Sequence, residues 1–226
     1  PVMLWAIRSW PADVGIQEPQ QGDGVGAGRP GAPQQPDLKD IVTNANFWWL
    51  AVALGLLFST YTSILSNLTP YAVKLGHEGE AASGLIMIIA VSGLLGKLIF
   101  GVAADTLGHK LALWAAQLLV ATGFVLLAME PSYSMIMLAC VSIGLAAGGM
   151  LPVWGAMIAD IFGLQSYGRA FGLMAPIITL FVMVGFPLTG RLYDATGSLS
   201  LCLWIFASLM IISAALIIPL RLPRNA

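Results

Sequence analysis

Apolar and polar stretches alternate along this chain with a long period. Six apolar runs stand at 47–69, 83–104, 111–129, 133–157, 170–190 and 199–220, divided by short segments rich in glycine and charge. Each run is close to the ~20 residues with which a helix crosses the hydrocarbon layer of a bilayer. Backbone amides in lipid are satisfied only inside a helix or a closed barrel, so runs this long predict helices. The fold class expected is an all-α membrane protein, with a six-helix bundle over 47–220 and a lipid bilayer as its solvent. Phe47, Trp48 and Trp49 open the first run and suit a membrane interface.

Residues 8–46 read as a polar linker. Its stretch Gln17–Pro36 is rich in Gly, Pro and Gln, with too few large apolar side chains to offset ordering entropy, and is predicted to be flexible. Residues 1–7 read as the end of a preceding transmembrane helix, and 221–226 as a tail. A chain that starts at Pro1 is expected to be a fragment.

Composition sharpens this picture. Hydrophobic residues make up 58% and charged residues 9% of the chain, where soluble domains carry about 25% charged residues. A net charge of −1 points away from nucleic acid. Cys140 and Cys202 lie in apolar runs without metal-ligand spacing and read as packing residues. With His77 and His109 as the two histidines, no metal site and no cofactor is expected. The chain contains no Gly-x-Ser-x-Gly, no His-Glu-x-x-His and no paired intramembrane acids, so an enzyme is not the expected class. Placing the linker inside the cell puts Arg8, Arg29, Lys39, Lys110, Arg169, Arg221 and Arg224 inside, against Lys74 and Arg191 outside. That bias predicts a cytoplasmic linker and C-terminus, in a plasma (inner) membrane.

Within the second run stands Lys97. A cation near the middle of a membrane helix costs about 2.5–3.5 kcal/mol on insertion scales. Positions three and four residues away hold Gly93, Leu94, Phe100 and Gly101, so its own helix supplies no acid. Three roles fit: contact with an anionic ligand, pairing with an acid elsewhere, or snorkelling to the interface. The first run carries a polar stripe in which Ser59, Thr62, Ser63 and Ser66 share one helical face, with Asn67 near it. Such a face lines a water-filled path or packs closely against a neighbouring helix. Gly144-x-x-x-Gly148, Gly149 and Pro152 mark the fourth run as a close-packing or kinked helix.

The turn after Lys97 reads Gly101-x-x-x-Asp105-x-x-Gly108-x-Lys110. It resembles the loop signature of the major facilitator superfamily, with Thr106 and Leu111 where basic residues are usual. Its core recurs as Gly190-x-x-x-Asp194-x-x-Gly197, three crossings later and so on the opposite membrane face. The resemblance implies the C-terminal half of a twelve-helix transporter, built as a three-plus-three inverted repeat, with the N-terminal six-helix half as its partner. Within the superfamily the chain is similar to the monocarboxylate and oxalate/formate carriers. Trp10–Ile16 resembles a segment before their central linker, and Phe162-Gly163 with Gly168-Arg169 resembles their inner loop between the fourth and fifth of these helices. In those carriers a cation one turn before the turn glycine meets the substrate carboxylate, which is where Lys97 stands, as lysine where arginine is usual. Gly93 stands where the monocarboxylate carriers have an aspartate, and the fifth run lacks the second cation of the oxalate carriers. The resemblance therefore implies a secondary transporter of a small organic anion, with a single carboxylate favoured, working by alternating access as proton symporter or anion antiporter. The substrate-binding candidates are Lys97, Ser59, Thr62, Ser63, Ser66 and Asn67. Gly101, Asp105, Gly108 and Lys110 are the gating candidates, with Asp160 and Arg169 as a further gate pair. A drug or sugar efflux carrier and a non-transporting membrane subunit are the alternatives.

Overall fold

The computed structural model describes residues 38–77, 79–129 and 132–220. The expectations for 1–37 and for the tail, including Arg8, Arg29, Arg221 and Arg224, lie outside the described residues. Among those described, the chain is helical throughout: α1 (Leu38–Thr43), α2 (Ala45–Lys74), α3 (Gly79–Leu107), α4 (His109–Ala128), α5 (Tyr133–Phe162), α6 (Tyr167–Thr196) and α7 (Ser200–Ile217). Helices α2 to α7 are each long and apolar enough to cross a membrane.

Most of the spanning helices outrun their apolar stretches. Residues 105–107, 158–162, 167–169 and 191–196 are polar or mixed in character yet remain helical, because intrahelical hydrogen bonding does not require apolar side chains once the backbone leaves lipid. A 30-residue helix such as α5 is about 45 Å long, against a hydrocarbon layer of about 30 Å. Helix α2 also runs through Pro70, where the apolar run suggested an end, and stops at Lys74. Proline removes one backbone donor, a loss that membrane helices absorb through their neighbours. The turns after α2, α3, α5 and α6 each use a glycine at positive φ: Gly76, Gly108, Gly163 and Gly197. At the other end of the bundle's first crossing, α1 and the start of α2 fall within the segment read as linker. Asn44 caps α2 by accepting from the Asn46 amide at 2.9 Å, and the Trp48 indole donates to the Val42 carbonyl at 2.8 Å.

The packing repeats itself after three helices. Helix α2 packs on α6 as α5 packs on α3; α2 meets α7 as α5 meets α4; and α4 packs on α7, its own counterpart. Every pairing among the six long helices has its equivalent under this shift, which is the three-plus-three inverted repeat. The two copies of the turn signature end the equivalent helices α3 and α6, each closing on a glycine at positive φ. The bundle core includes Leu50, Leu54 and Leu57 of α2, Leu113 and Phe124 of α4, and Ile136 and Ile143 of α5, all fully buried. Cys140 and Cys202 are buried free thiols.

Candidate functional site

Helices α3 and α5 cross with their backbones in contact. A Cβ placed on Gly148 would lie 1.9 Å from the Gly93 carbonyl oxygen, and one on Gly96 would lie 2.1 Å from that of Leu145. This crossing fixes the stretch of α3 that carries Lys97. Beside it opens a cavity of about 420 Å³ between α2, α3 and α5. Helix α3 contributes Lys97, Gly93 and Leu94 with Ile86, Ile89 and Ala90; α2 contributes Tyr61 and Leu65; α5 contributes Ala147 and Gly148.

Lys97 stands ten residues before the end of α3 at Leu107, about 15 Å along the axis and so near the middle of a bilayer. Its side chain is exposed to the cavity. Among the described residues it makes no hydrogen bond or ion pair. The cavity therefore holds one uncompensated positive charge and one phenol against an otherwise apolar wall.

The polar stripe of α2 does not face this cavity. Ser59 and Ser63 are buried against α6: Ser59 Oγ donates to the Phe181 carbonyl at 2.8 Å, and a Cβ on Gly185 would lie 2.1 Å from Ser59 Oγ and 3.1 Å from Ser63 Oγ. Thr62 Oγ1 donates to Phe58 O at 2.7 Å, Ser66 Oγ to Thr62 O at 3.1 Å and Asn67 Nδ2 to Ser63 O at 2.8 Å. Ser59 and Ser63 thus form a helix-packing face, while Thr62, Ser66 and Asn67 bond back to their own helix, with Ser66 exposed. Tyr61 and Leu65, four residues apart on the other side of α2, line the cavity instead. That Ser59 and Ser63 turn to α6 and away from the cavity follows from which neighbour each face meets, and residue spacing alone does not supply this.

At the end where α3 closes, the turn residues separate by role. Gly108 has φ of 90° and starts α4. Lys110 Nζ donates to the Ile218 carbonyl at 2.7 Å and the Leu220 carbonyl at 3.3 Å, and lies 5.4 Å from the Trp114 ring centroid, so it caps the end of α7. Asp105 is exposed and makes no hydrogen bond or ion pair among the described residues. Gly101 has open space where a Cβ would stand. Asp160 pairs with His109 through Oδ2 and Nδ1 at 2.5 Å, tying the end of α5 to the start of α4. Arg169 stands exposed in the first turn of α6. The expected Asp160–Arg169 pair is thus replaced, on the aspartate side, by a histidine 51 residues away in sequence, which no local spacing could reveal. At the opposite end Lys74 does for α6 what Lys110 does for α7: it donates to the Gly197 carbonyl and lies 4.9 Å from the Tyr193 ring centroid.

The profile of the Major Facilitator Superfamily matches residues 82–226. The chain is 26% identical over 165 residues to an agnestins efflux protein of Paecilomyces divaricatus, covering 72% of this chain and 38% of that protein. It is 26% identical over 181 residues to the multidrug efflux pump Tap of Mycobacterium tuberculosis, covering 76% and 43%. It is 24% identical over 165 residues to monocarboxylate transporter 13 of Rattus norvegicus, covering 71% and 38%. The matched stretches thus span about two fifths of these curated relatives.

Proposed function

Since the chain belongs to the Major Facilitator Superfamily, we propose that it forms one six-helix half of a secondary active transporter that moves a small organic anion, a carboxylate above all, by alternating access. The observation that carries this reading is Lys97: a cation at mid-membrane depth, without a protein partner among the described residues, facing a cavity large enough for a small molecule. Removing an ammonium from water without compensation is costly, and an entering carboxylate supplies the opposite charge. Lysine meets the anion as a point charge with rotatable donors, without the planar fork of arginine.

Helices α3 and α6, equivalent in the repeat, are the least covered of the long helices. They present apolar side chains such as Leu94, Leu98 and Val102 on α3 and Leu180, Met183 and Val184 on α6. These faces fit lipid and a second six-helix half, with the substrate held near the midplane between the two. Rocking of the halves exposes the cavity to each side in turn. The exposed Asp105 and the open position at Gly101 suit contact with that second half, and the Lys110 and His109–Asp160 links hold the turn in place behind them. A proton or a counter-anion drives transport across the plasma membrane, with the end of α7 in the cytoplasm.

The named relatives favour a second reading, efflux of a drug-like compound, since two of the three are called efflux proteins. The two readings part at Lys97. Uptake of labelled carboxylates would be measured in proteoliposomes holding the natural full-length protein, its Lys97→Ala form and its Lys97→Arg form. Anion transport predicts loss of uptake in the alanine form by a factor of ten or more, with partial recovery in the arginine form. Uptake that survives in the alanine form takes Lys97 out of the binding site, and no carboxylate uptake by any of the three forms favours the efflux reading.

A further inference from the structure

The wall of the Lys97 cavity carries more information than its charge. Its polar side chains are Lys97 and Tyr61, and the remaining lining is aliphatic or glycine. The neutral polar groups of the stripe on α2 are turned elsewhere: Ser59 donates to the Phe181 carbonyl, Thr62, Ser66 and Asn67 to carbonyls of their own helix, and Ser63 is buried against Gly185 of α6. One turn before Tyr61 on the same face, Phe58 meets Trp154 edge-on at 5.7 Å, and Trp154 stacks on Phe171 at 4.5 Å. The apolar surface therefore continues past the cavity toward the end where α3 closes.

We infer that the Lys97 cavity selects amphiphilic monoanions, one negative group on an apolar body the size of a benzene ring or a short alkyl chain, over small hydrophilic acids and dicarboxylates. The inference rests on the anion-transport reading above and narrows it. A second carboxylate or a set of hydroxyls entering this cavity leaves water without finding donors on this wall, which is penalised. An apolar body exchanges water for Leu65, Ile89 and Leu94, which is favoured. A concave, mostly apolar site with one or two oriented polar groups is the usual design for such ligands.

The test is a series of labelled anions carried by the natural full-length protein in proteoliposomes at neutral pH, with leak through protein-free vesicles subtracted: acetate, hexanoate, benzoate and malonate. Each added methylene in an apolar pocket discriminates by about tenfold or more, so benzoate and hexanoate are expected to exceed acetate at least tenfold in kcat/KM, with malonate lowest. Leu94 is 64% exposed, so Leu94→Asn removes little packing within this bundle. It is expected to reduce the benzoate-to-acetate ratio severalfold, whatever the absolute rates. Acetate or malonate carried as well as benzoate overturns the inference and leaves the anion reading standing. An unchanged ratio in Leu94→Asn also overturns it. If no member of the series moves at all, the anion reading falls, and this inference with it.

Discussion

At the scale of single residues, Lys97 and Ser59 make opposite points about polar groups in a membrane helix. Lys97 was legible because a charge inside an apolar run is expensive, about 2.5–3.5 kcal/mol at the helix centre, and so demands an explanation wherever it occurs. The serines carried no such signal. Their spacing fixes which of them share a face, yet the face of Ser59 and Ser63 turns to α6 and its Gly185. Ser59→Ala is accordingly expected to cost about 0.6 kcal/mol, and at most about 1.7, of the α2–α6 contact. Thermal unfolding in detergent would drop by a few degrees at most, with the KM for the proposed anion substrate unchanged. A shifted KM at unchanged melting temperature would return Ser59 to the transport path. The His109–Asp160 pair was out of reach for a similar reason: two turns distant in sequence are joined only by the packing of α4 against α5.

At the scale of elements, the crossing of α3 and α5 is what places Lys97. Its glycines at 144 and 148 were visible as a small-residue motif, but the partner helix was not. Backbone contact between Gly148 and Gly93 leaves no room for a side chain, so Gly148→Ala must separate the helices. Overpacking of this kind typically costs about 1–3 kcal/mol. Gly101 has open space at the Cβ position, so Gly101→Ala is expected to leave the stability of this bundle unchanged. Thermal melts of the two variants side by side check the contrast, and equal melting temperatures would contradict the close crossing. Helix ends were the least legible feature. Apolar runs report where lipid is, whereas helices stop where a glycine reverses the backbone, as at Gly108 and Gly197.

At the scale of the whole molecule, the inverted repeat explains both the packing and the two turn signatures. The sequence carried it as two short copies of one motif; the structure carries it in every helix pairing. The copies end α3 and α6, which run in opposite directions through the bundle. Asp105→Cys and Asp194→Cys, made singly, are therefore expected to react with an impermeant thiol reagent from opposite sides of the membrane, with Asp105→Cys on the cytoplasmic side. The native thiols Cys140 and Cys202 are buried and should stay silent. Labelling of both positions from one side would contradict the inverted arrangement.

Positive charge at position 97 is proposed to bind the transported anion. The most direct measurement is charge rescue in proteoliposomes, using Lys97→Cys with Cys140 and Cys202 replaced by alanine. This form is expected to be inactive; 2-aminoethyl methanethiosulfonate, which attaches a cation, is expected to restore anion uptake, and the sulfonated analogue, which attaches an anion, is not. Full uptake before modification, or equal recovery with either reagent, would contradict it.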